Sequence, residues 1–353
     1  MIHKRFHHGV EKYGMWEPPA TWQRLRTIDM HTGGEPLRII VDGLPEIPGK
    51  TILEKRRYFR EHLDQIRTGL MWEPRGHADM YGAVLTEPTT ADGDFGVFFM
   101  HNEGYSTMCG HAMIALGKFV VETGLVNVDP AKLEILVDAP PGRILIKPVI
   151  RKGKVVSTSF TNVPSFVLMK DQATEVPGIG KVKFDVGFGG AFYALVDAAT
   201  LNLNLGTSDY QKLIDYGRRI KRAVADKFEI RHPFEEDLSF LYGVIFTGKA
   251  HDPGHHSRNV CIFADGEVDR SPTGSGVSAR AAIHYARCEL KPGETITIES
   301  ILGSTMEVKI VETKRFGPHD AVIPEVSGTA FFTGRNEFWF DPEDNLRKGF
   351  IIR

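Results

Sequence analysis

The stretch IDMHTGGEPLRIIVDGLP, residues 28–45, recurs in altered form as FDVGFGGAFYALVDAATL, residues 184–201. Asp29, Gly33 and Gly34 fall on Asp185, Gly189 and Gly190 at a constant offset of 156, and both copies run on into apolar, strand-like residues. Two further echoes follow in the same order. TMCGHA at 107–112 is answered by SPTGSG at 271–276, with Thr273 standing 164 residues after Cys109. LEILVDAPPGRILIKPVI at 133–150 is answered by ITIESILGSTMEVKIV at 296–311, each two β-rich runs about a turn, as a hairpin reads. Three echoes in one order predict two homologous halves joined near VPGIGK, residues 176–181.

Each half reads as mostly strands around one conspicuous helix. MCGHAMIALGKFVVETG, from Met108, is apolar on nearly every side until Gly124 ends it, which predicts a helix enclosed by sheet. GSGVSARAAIHYARCE, rich in small residues, is its counterpart and carries Cys288 near its end. Ser208 to Phe228, with Leu213, Ile214, Ile220 and Val224, predicts an amphipathic helix lying outside.

The chain of 353 residues is long enough for two ordinary domains, and 42% hydrophobic with 25% charged residues is a soluble, globular balance. A formal charge of -2, with no long run of like charge, gives no footprint for nucleic acid or an anionic membrane. A small neutral or zwitterionic partner is expected. The N-terminal residues lack an apolar leader, and no run is long enough to span a bilayer, so neither secretion nor membrane insertion is expected. Three cysteines, Cys109, Cys261 and Cys288, are an odd number that fits a reducing, cytoplasmic compartment. The first 24 or so residues read as an extension packed on the surface.

Cys109 is the residue with chemistry. With Ser106 or Thr107 as N-cap, Cys109, Gly110 and His111 fall in a first helical turn, whose unpaired N–H groups and dipole favour negative charge. Such a setting lowers a thiol pKa toward neutrality and makes a thiolate available as nucleophile or base. Two such helix starts facing each other would hold one carboxylate from both sides. Cys261, in the alternating NVCIFADG, and Cys288 read as packing residues.

Other chemistries are disfavoured. HDPGHH at 251–256 contains the turn pair Pro253-Gly254, and there is no HExxH or CxxC, so a solvated loop is expected and no metal. GFGGAF at 187–192 ends in Phe192 where a dinucleotide fingerprint needs glycine. Around Ser275, Thr273 and Val277 occupy the glycine positions of a GxSxG elbow. No organic cofactor is implied.

MCGHA at 108–112, DRSPTGSG at 269–276, DMHTGGEP at 29–36 and GHADMYGAVL at 76–85 together resemble the proline racemase family, from about Thr27 onward. The resemblance implies an α/β (α+β), diaminopimelate epimerase-like fold: two pseudo-symmetric halves, each a curved, mostly antiparallel sheet around a central helix, with the active site between them. The first half would be 1–180 plus 340–353 with the Cys109 helix, the second 181–339 with the Thr273 helix. In family racemases a cysteine at each helix start faces each side of the substrate Cα. Cys109 matches the first, whereas Thr273 occupies the second position, and a threonine hydroxyl lacks the matched pKa of an acid/base partner.

This Cys/Thr pairing is similar to that of the trans-3-hydroxy-L-proline dehydratases. It implies that Cys109 removes the Cα proton and water is lost to give Δ1-pyrroline-2-carboxylate, with Thr273 binding or orienting the ring or its hydroxyl. The resemblance also implies that Asp269 accepts from the ring nitrogen. Gly110, His111, Gly274 and Ser275 would hold the carboxylate, while Tyr81 and Phe263 line the pocket, Tyr81 standing where phenylalanine is more usual. Asn102 and Glu103 would support the loop before the helix. Which ring face Cys109 addresses is left open. Two other readings remain: a proline or hydroxyproline racemase or epimerase using water or Thr273 on the second side, and a binding module that kept the cleft. A monomer or homodimer is expected.

Overall fold

The computed structural model describes residues 16–127 and 132–352. Most of the expected N-terminal extension therefore lies outside the described residues; at its described end Trp16 packs edge-on against Trp22 and Trp339. Alternating or continuous apolar runs produce strands throughout. They are β1 (Gln23–Thr32), β2 (Glu35–Asp42), β3 (Tyr81–Thr86), β4 (Phe95–His101), β5 (Tyr105–Ser106), β6 (Ile135–Ala139), β7 (Gly142–Arg151), β8 (Lys154–Thr161) and β9 (Ser165–Val176). The series continues with β10 (Gly180–Phe188), β11 (Phe192–Asp197), β12 (Leu241–Gly248), β13 (Ser257–Phe263), β14 (Glu267–Asp269), β15 (Thr295–Glu299), β16 (Thr305–Phe316), β17 (His319–Gly328) and β18 (Ala330–Phe340). The helices are α1 (Ile52–His62), α2 (Asp64–Met71), α3 (Gly110–Glu122), α4 (Tyr210–Lys227) and α5 (Gly274–Ala286).

Pairing repeats where sequence repeats. β1 and β2 are antiparallel, β2 and β3 parallel, β3 and β4 antiparallel, β4 and β6 parallel, and β6, β7 and β8 an antiparallel meander. The same alternation runs through β10–β11, β11–β12, β12–β13, β13–β15 and the meander β15, β16, β17. Two strands cross over: β9 pairs antiparallel with β10, and β18 pairs antiparallel with β1. The C-terminal return thus begins at Ala330 and ends in a bridge between Glu73 and Phe350.

α3 is buried on nearly all sides, through Met113, Leu116, Phe119 and Val120 among others. Each such side chain contributes roughly 1.5–3 kcal/mol when fully buried, so enclosure by sheet, more than helix propensity, holds this element. α5 is enclosed likewise. α4 buries one stripe, Leu213, Gly217, Ile220 and Val224, and lies outside as its amphipathic pattern predicts.

Three details depart from the sequence reading. α1 and α2 were not anticipated, although Thr51 and Glu54 form a capping box at their start, the Thr51 side chain accepting from the Glu54 N–H and the Glu54 carboxylate from the Lys50 N–H. Cys288 lies beyond the end of α5 at Ala286, exposed and with φ of 59°. HDPGHH is an anchored turn and not a freely solvated loop. The backbone N–H groups of His251 and Asp252 and the ring Nδ1 of His255 all bond the buried Glu299 carboxylate, at 2.8, 2.9 and 2.9 Å.

Candidate active site

The two enclosed helices meet at their N-termini through glycine. A Cβ on Gly110 would lie 2.5 Å from the Cα of Gly274, and one on Gly274 would lie 2.8 Å from the Cα of Gly110. Only bare backbone fits, so the first turns of both helices converge on one cavity. Each paired-glycine turn buttresses the opposite helix start. Thr107 Oγ1 donates to Gly190 O at 2.6 Å, while the Arg270 N–H donates to Glu35, just after Gly34, at 2.7 Å. Gly34 and Gly190 take φ of +94° and +98°, where a side chain is disfavoured.

All nine residues singled out from sequence line this cavity. Cys109, Gly110, His111 and Tyr81 come from one side. Asp269, Thr273, Gly274, Ser275 and Phe263 come from the other. Cys109 is itself the N-cap of α3, in extended backbone, one residue before the first turn in which the sequence reading placed it. Ser106 and Thr107 are not caps; Thr107 is tied to Gly190 and Ser106 Oγ hydrogen-bonds the Tyr81 hydroxyl.

The expected lowering of the Cys109 pKa is also corrected. Burial pushes the thiol well above its usual range and the nearby Asp269 adds to the rise, against the pull of the Ala112 N–H. A neutral imidazole is adjacent. Cys109 Sγ lies 3.1 Å from His111 Nδ1, and His111 Nε2 lies 3.2 Å from Pro36 O. Since only a protonated Nε2 can bond a carbonyl, the neutral tautomer places its lone pair on Nδ1, facing the thiol. Burial holds the imidazole pKa down to about 3, so the ring is neutral at rest. Its side chain therefore addresses Cys109, a contact the sequence reading did not foresee when it assigned His111 to the carboxylate.

On the other side Asp269 is buried and accepts from the Ser271 N–H at 2.7 Å. Burial lifts its pKa to about 6. A cation entering between Asp269 and Cys109 favours the charged form of both. Thr273, the N-cap of α5, has φ of 69° and ψ of 87°. For a β-branched residue this region costs on the order of 1–3 kcal/mol, and such strain clusters at functional sites. Its buried hydroxyl lies within reach of the Asp269 carboxyl and the Cys261 thiol and helps pull both pKa values down against burial.

The sequence reading missed Glu35, Met108, Tyr193, Tyr242 and Cys261, which complete the lining. Tyr193 bonds Ser275 Oγ at 2.7 Å, and Tyr242 stacks on Phe263 at 5.5 Å. Cys261 was read as a packing residue; it is fully buried but also faces the cavity, across the β13–β14 pair from Asp269. Asn102 supports the loop as expected, its side chain bonding Asp79 N–H, Met71 O and His77 O.

Among known proteins, the chain is 50% identical over 345 residues, 97% of each chain, to a protein of Colwellia psychrerythraea named trans-3-hydroxy-L-proline dehydratase. It is 46% identical over 335 residues, covering 93% of this chain and 95% of the other, to a Homo sapiens protein of the same name. Its fold matches the crystal structure of a hydroxyproline epimerase from Agrobacterium vitis with bound trans-4-OH-L-proline, at a TM-score of 0.88 and 27% identity over 94% of this chain and 96% of that one. This is the pseudo-symmetric, epimerase-like α/β fold. With residues 27–351 matching the family model described as proline racemase, the chain belongs to the proline racemase family.

Proposed function

We propose that this chain is a hydro-lyase that dehydrates trans-3-hydroxy-L-proline to Δ1-pyrroline-2-carboxylate. The observation that carries the reading is the unequal pair at the two helix starts: a thiol in contact with an imidazole on one, a threonine on the other. The names and high identity of the curated relatives support it. The paired N–H cradles of α3 and α5 bind the substrate carboxylate, and Asp269 accepts from the ring nitrogen. The positive charge that the imino acid brings favours the thiolate form of the buried Cys109, which the neutral His111 ring faces at 3.1 Å.

Cys109 then takes the Cα proton. In trans-3-hydroxy-L-proline the hydroxyl lies on the same ring face as that proton, so a syn elimination needs only this side of the cleft. The electron pair of the Cα–H bond forms Cα=Cβ, the Cβ–O bond breaks, and the hydroxyl leaves as water, taking a proton from the same thiol or a neighbouring group. The resulting enamine tautomerises to the cyclic imine. Thr273 orients the ring or its hydroxyl, and Tyr81 and Phe263 pack against the ring.

The two halves proposed are 1–180 plus 340–353 and 181–339, laced by the crossing strands β9 and β18. All the lining residues of the cavity lie on this chain, and it is a monomer or a homodimer. No helix among the described residues is long and apolar enough to cross a membrane. Three free cysteines fit the cytoplasmic placement.

The test is incubation of the purified protein with trans-3-hydroxy-L-proline and trapping of the cyclic imine with o-aminobenzaldehyde. Imine that disappears in Cys109→Ala supports the reading. Epimerised proline or 4-hydroxyproline without imine would favour the racemase alternative, and ligand binding with no Cα–H exchange in deuterated water would favour a binding module.

A further inference from the structure

Glu35 opens β2, and its side chain is fully buried against the cavity. One carboxyl oxygen, Oε2, accepts from the Arg270 N–H at 2.7 Å. The other, Oε1, is buried with no hydrogen-bond partner among the described residues. A buried polar atom left unpaired costs roughly 1–3 kcal/mol, and its persistence calls for a ligand group to answer it.

The segment around Glu35 is fastened to the Cys109 side of the cleft. Thr32 Oγ1 donates to His111 O at 2.8 Å, and His111 Nε2 donates to Pro36 O at 3.2 Å. Burial first, and the neighbouring Asp269 second, push the Glu35 pKa well above the usual carboxylate range, toward the acid form. The internal repeat sharpens the point. At the offset of 156 that aligns Gly33 and Gly34 with Gly189 and Gly190, Glu35 falls on Ala191. The acid has no counterpart in the second copy, which is the asymmetry expected of a reaction that expels a group from one ring face only.

We infer that Glu35 is the catalytic acid that protonates the departing 3-hydroxyl, an assignment that rests on the dehydratase reading. The Cα–H proton passes first to Cys109 Sγ, leaving its electron pair on Cα; that pair then forms Cα=Cβ as the Cβ–O bond breaks and the oxygen takes the Glu35 proton to leave as water. Cys109 ends as thiol and Glu35 as carboxylate. Transfer of the thiol proton to Glu35, as water departs, restores both groups.

The experiment compares the full-length wild type with Glu35→Gln on trans-3-hydroxy-L-proline in deuterated water. Imine formation should fall about 100-fold or more, the scale of a lost acid catalyst. Cα deuterium should still enter the recovered substrate, and affinity for pyrrole-2-carboxylate, which has no hydroxyl to expel, should stay within about threefold. Retained imine formation overturns the assignment. So does loss of Cα exchange, with or without loss of pyrrole-2-carboxylate binding, since Glu35 would then act in binding or at Cα. If the glutamine variant does not fold, Glu35→Asp, which withdraws the acid by one methylene, should shift the partition from dehydration toward exchange about tenfold; an unchanged partition is again contradictory. A wild type that forms no imine defeats the dehydratase reading itself, whereas an active wild type with an equally active Glu35→Gln defeats only the role of Glu35.

Discussion

The starts of α3 and α5 occupy equivalent places in the repeat, touch through Gly110 and Gly274, and offer the same backbone N–H groups, yet differ in the residue at the cap. Cys109 sits in relaxed, extended backbone at φ of -139° with an imidazole 3.1 Å from its sulfur. Thr273 is held at φ of 69°, and no imidazole bonds its hydroxyl among the described residues. On the proposed reading the duplicated fold supplies anion binding twice and the proton acceptor once, so that both halves bind substrate and one carries the proton chemistry.

The largest effect that would break this comparison is removal of the single base. Cys109→Ala should lower imine formation by about 10⁴-fold, the upper range for loss of an acid/base group, with pyrrole-2-carboxylate binding retained. A variant within tenfold of wild type in the trapping assay would mean that the base lies elsewhere. Next comes Asp269. Its pKa of about 6 is raised from the usual carboxylate value, so the form that accepts from a cationic ring nitrogen builds up as pH rises through about 6. The kcat/KM profile should rise across that window, and Asp269→Asn should lower kcat/KM by about 100-fold and remove the limb. A limb unchanged in Asp269→Asn assigns it to another group.

Thr273→Cys sharpens the comparison by making the caps alike. It places a thiol on the second side and removes a β-branch from a left-handed position. A stereoisomer should appear beside the imine, with dehydration reduced about tenfold, as chiral chromatography of the recovered imino acid would show. Absence of any stereoisomer would mean that the second position is not aligned with Cα.

The smallest effect on the chemistry is expected where the halves are most alike. Asp138 on β6 accepts the successive N–H groups of Thr89 and Thr90, and Glu299 on β15 those of His251 and Asp252, so each half ties the same loop by a buried acid. Burial opposes ionisation of Glu299, but these N–H groups with His255 and Arg258 pull its pKa down to about 2. A depressed carboxylate stabilises the fold fully above its unfolded value, near 4.5, and that stability is lost as pH falls toward 2. Glu299→Gln also strands Arg258, which is only 1% exposed. Stability should fall by about 3–5 kcal/mol in denaturant titration, with little change in turnover of the folded protein. An unaltered midpoint would remove Glu299 as an anchor.

The sequence exposed whatever is local. The paired glycines, the two helix starts and the hairpins each occupy one short stretch, and their repetition made the two-half organisation legible, while Asp269, Tyr81, Phe263 and the other site residues became legible through the resemblance to the proline racemase family. Glu35, Tyr193, Tyr242 and Cys261 stayed hidden because strand alternation separates two faces without saying which one a distant segment will close over. Glu35 left one usable trace, its mismatch with Ala191 in the repeat. The Cys109 pKa was misjudged for the same reason: the helix start is local, but the burial that outweighs it, and the charge of Asp269 that adds to it, come from residues far along the chain. The ring of His111 is turned toward sulfur by Pro36 O, which the sequence separates from it by 75 residues.

The most direct test of one-sided proton chemistry is to follow wild-type protein with trans-3-hydroxy-L-proline by NMR in deuterated water. A cleft with one base should yield Δ1-pyrroline-2-carboxylate and no Cα epimer of the substrate. Accumulation of cis-3-hydroxy-D-proline would show that a second group delivers a proton from the Thr273 side, and would contradict the assignment of the reaction to Cys109 alone.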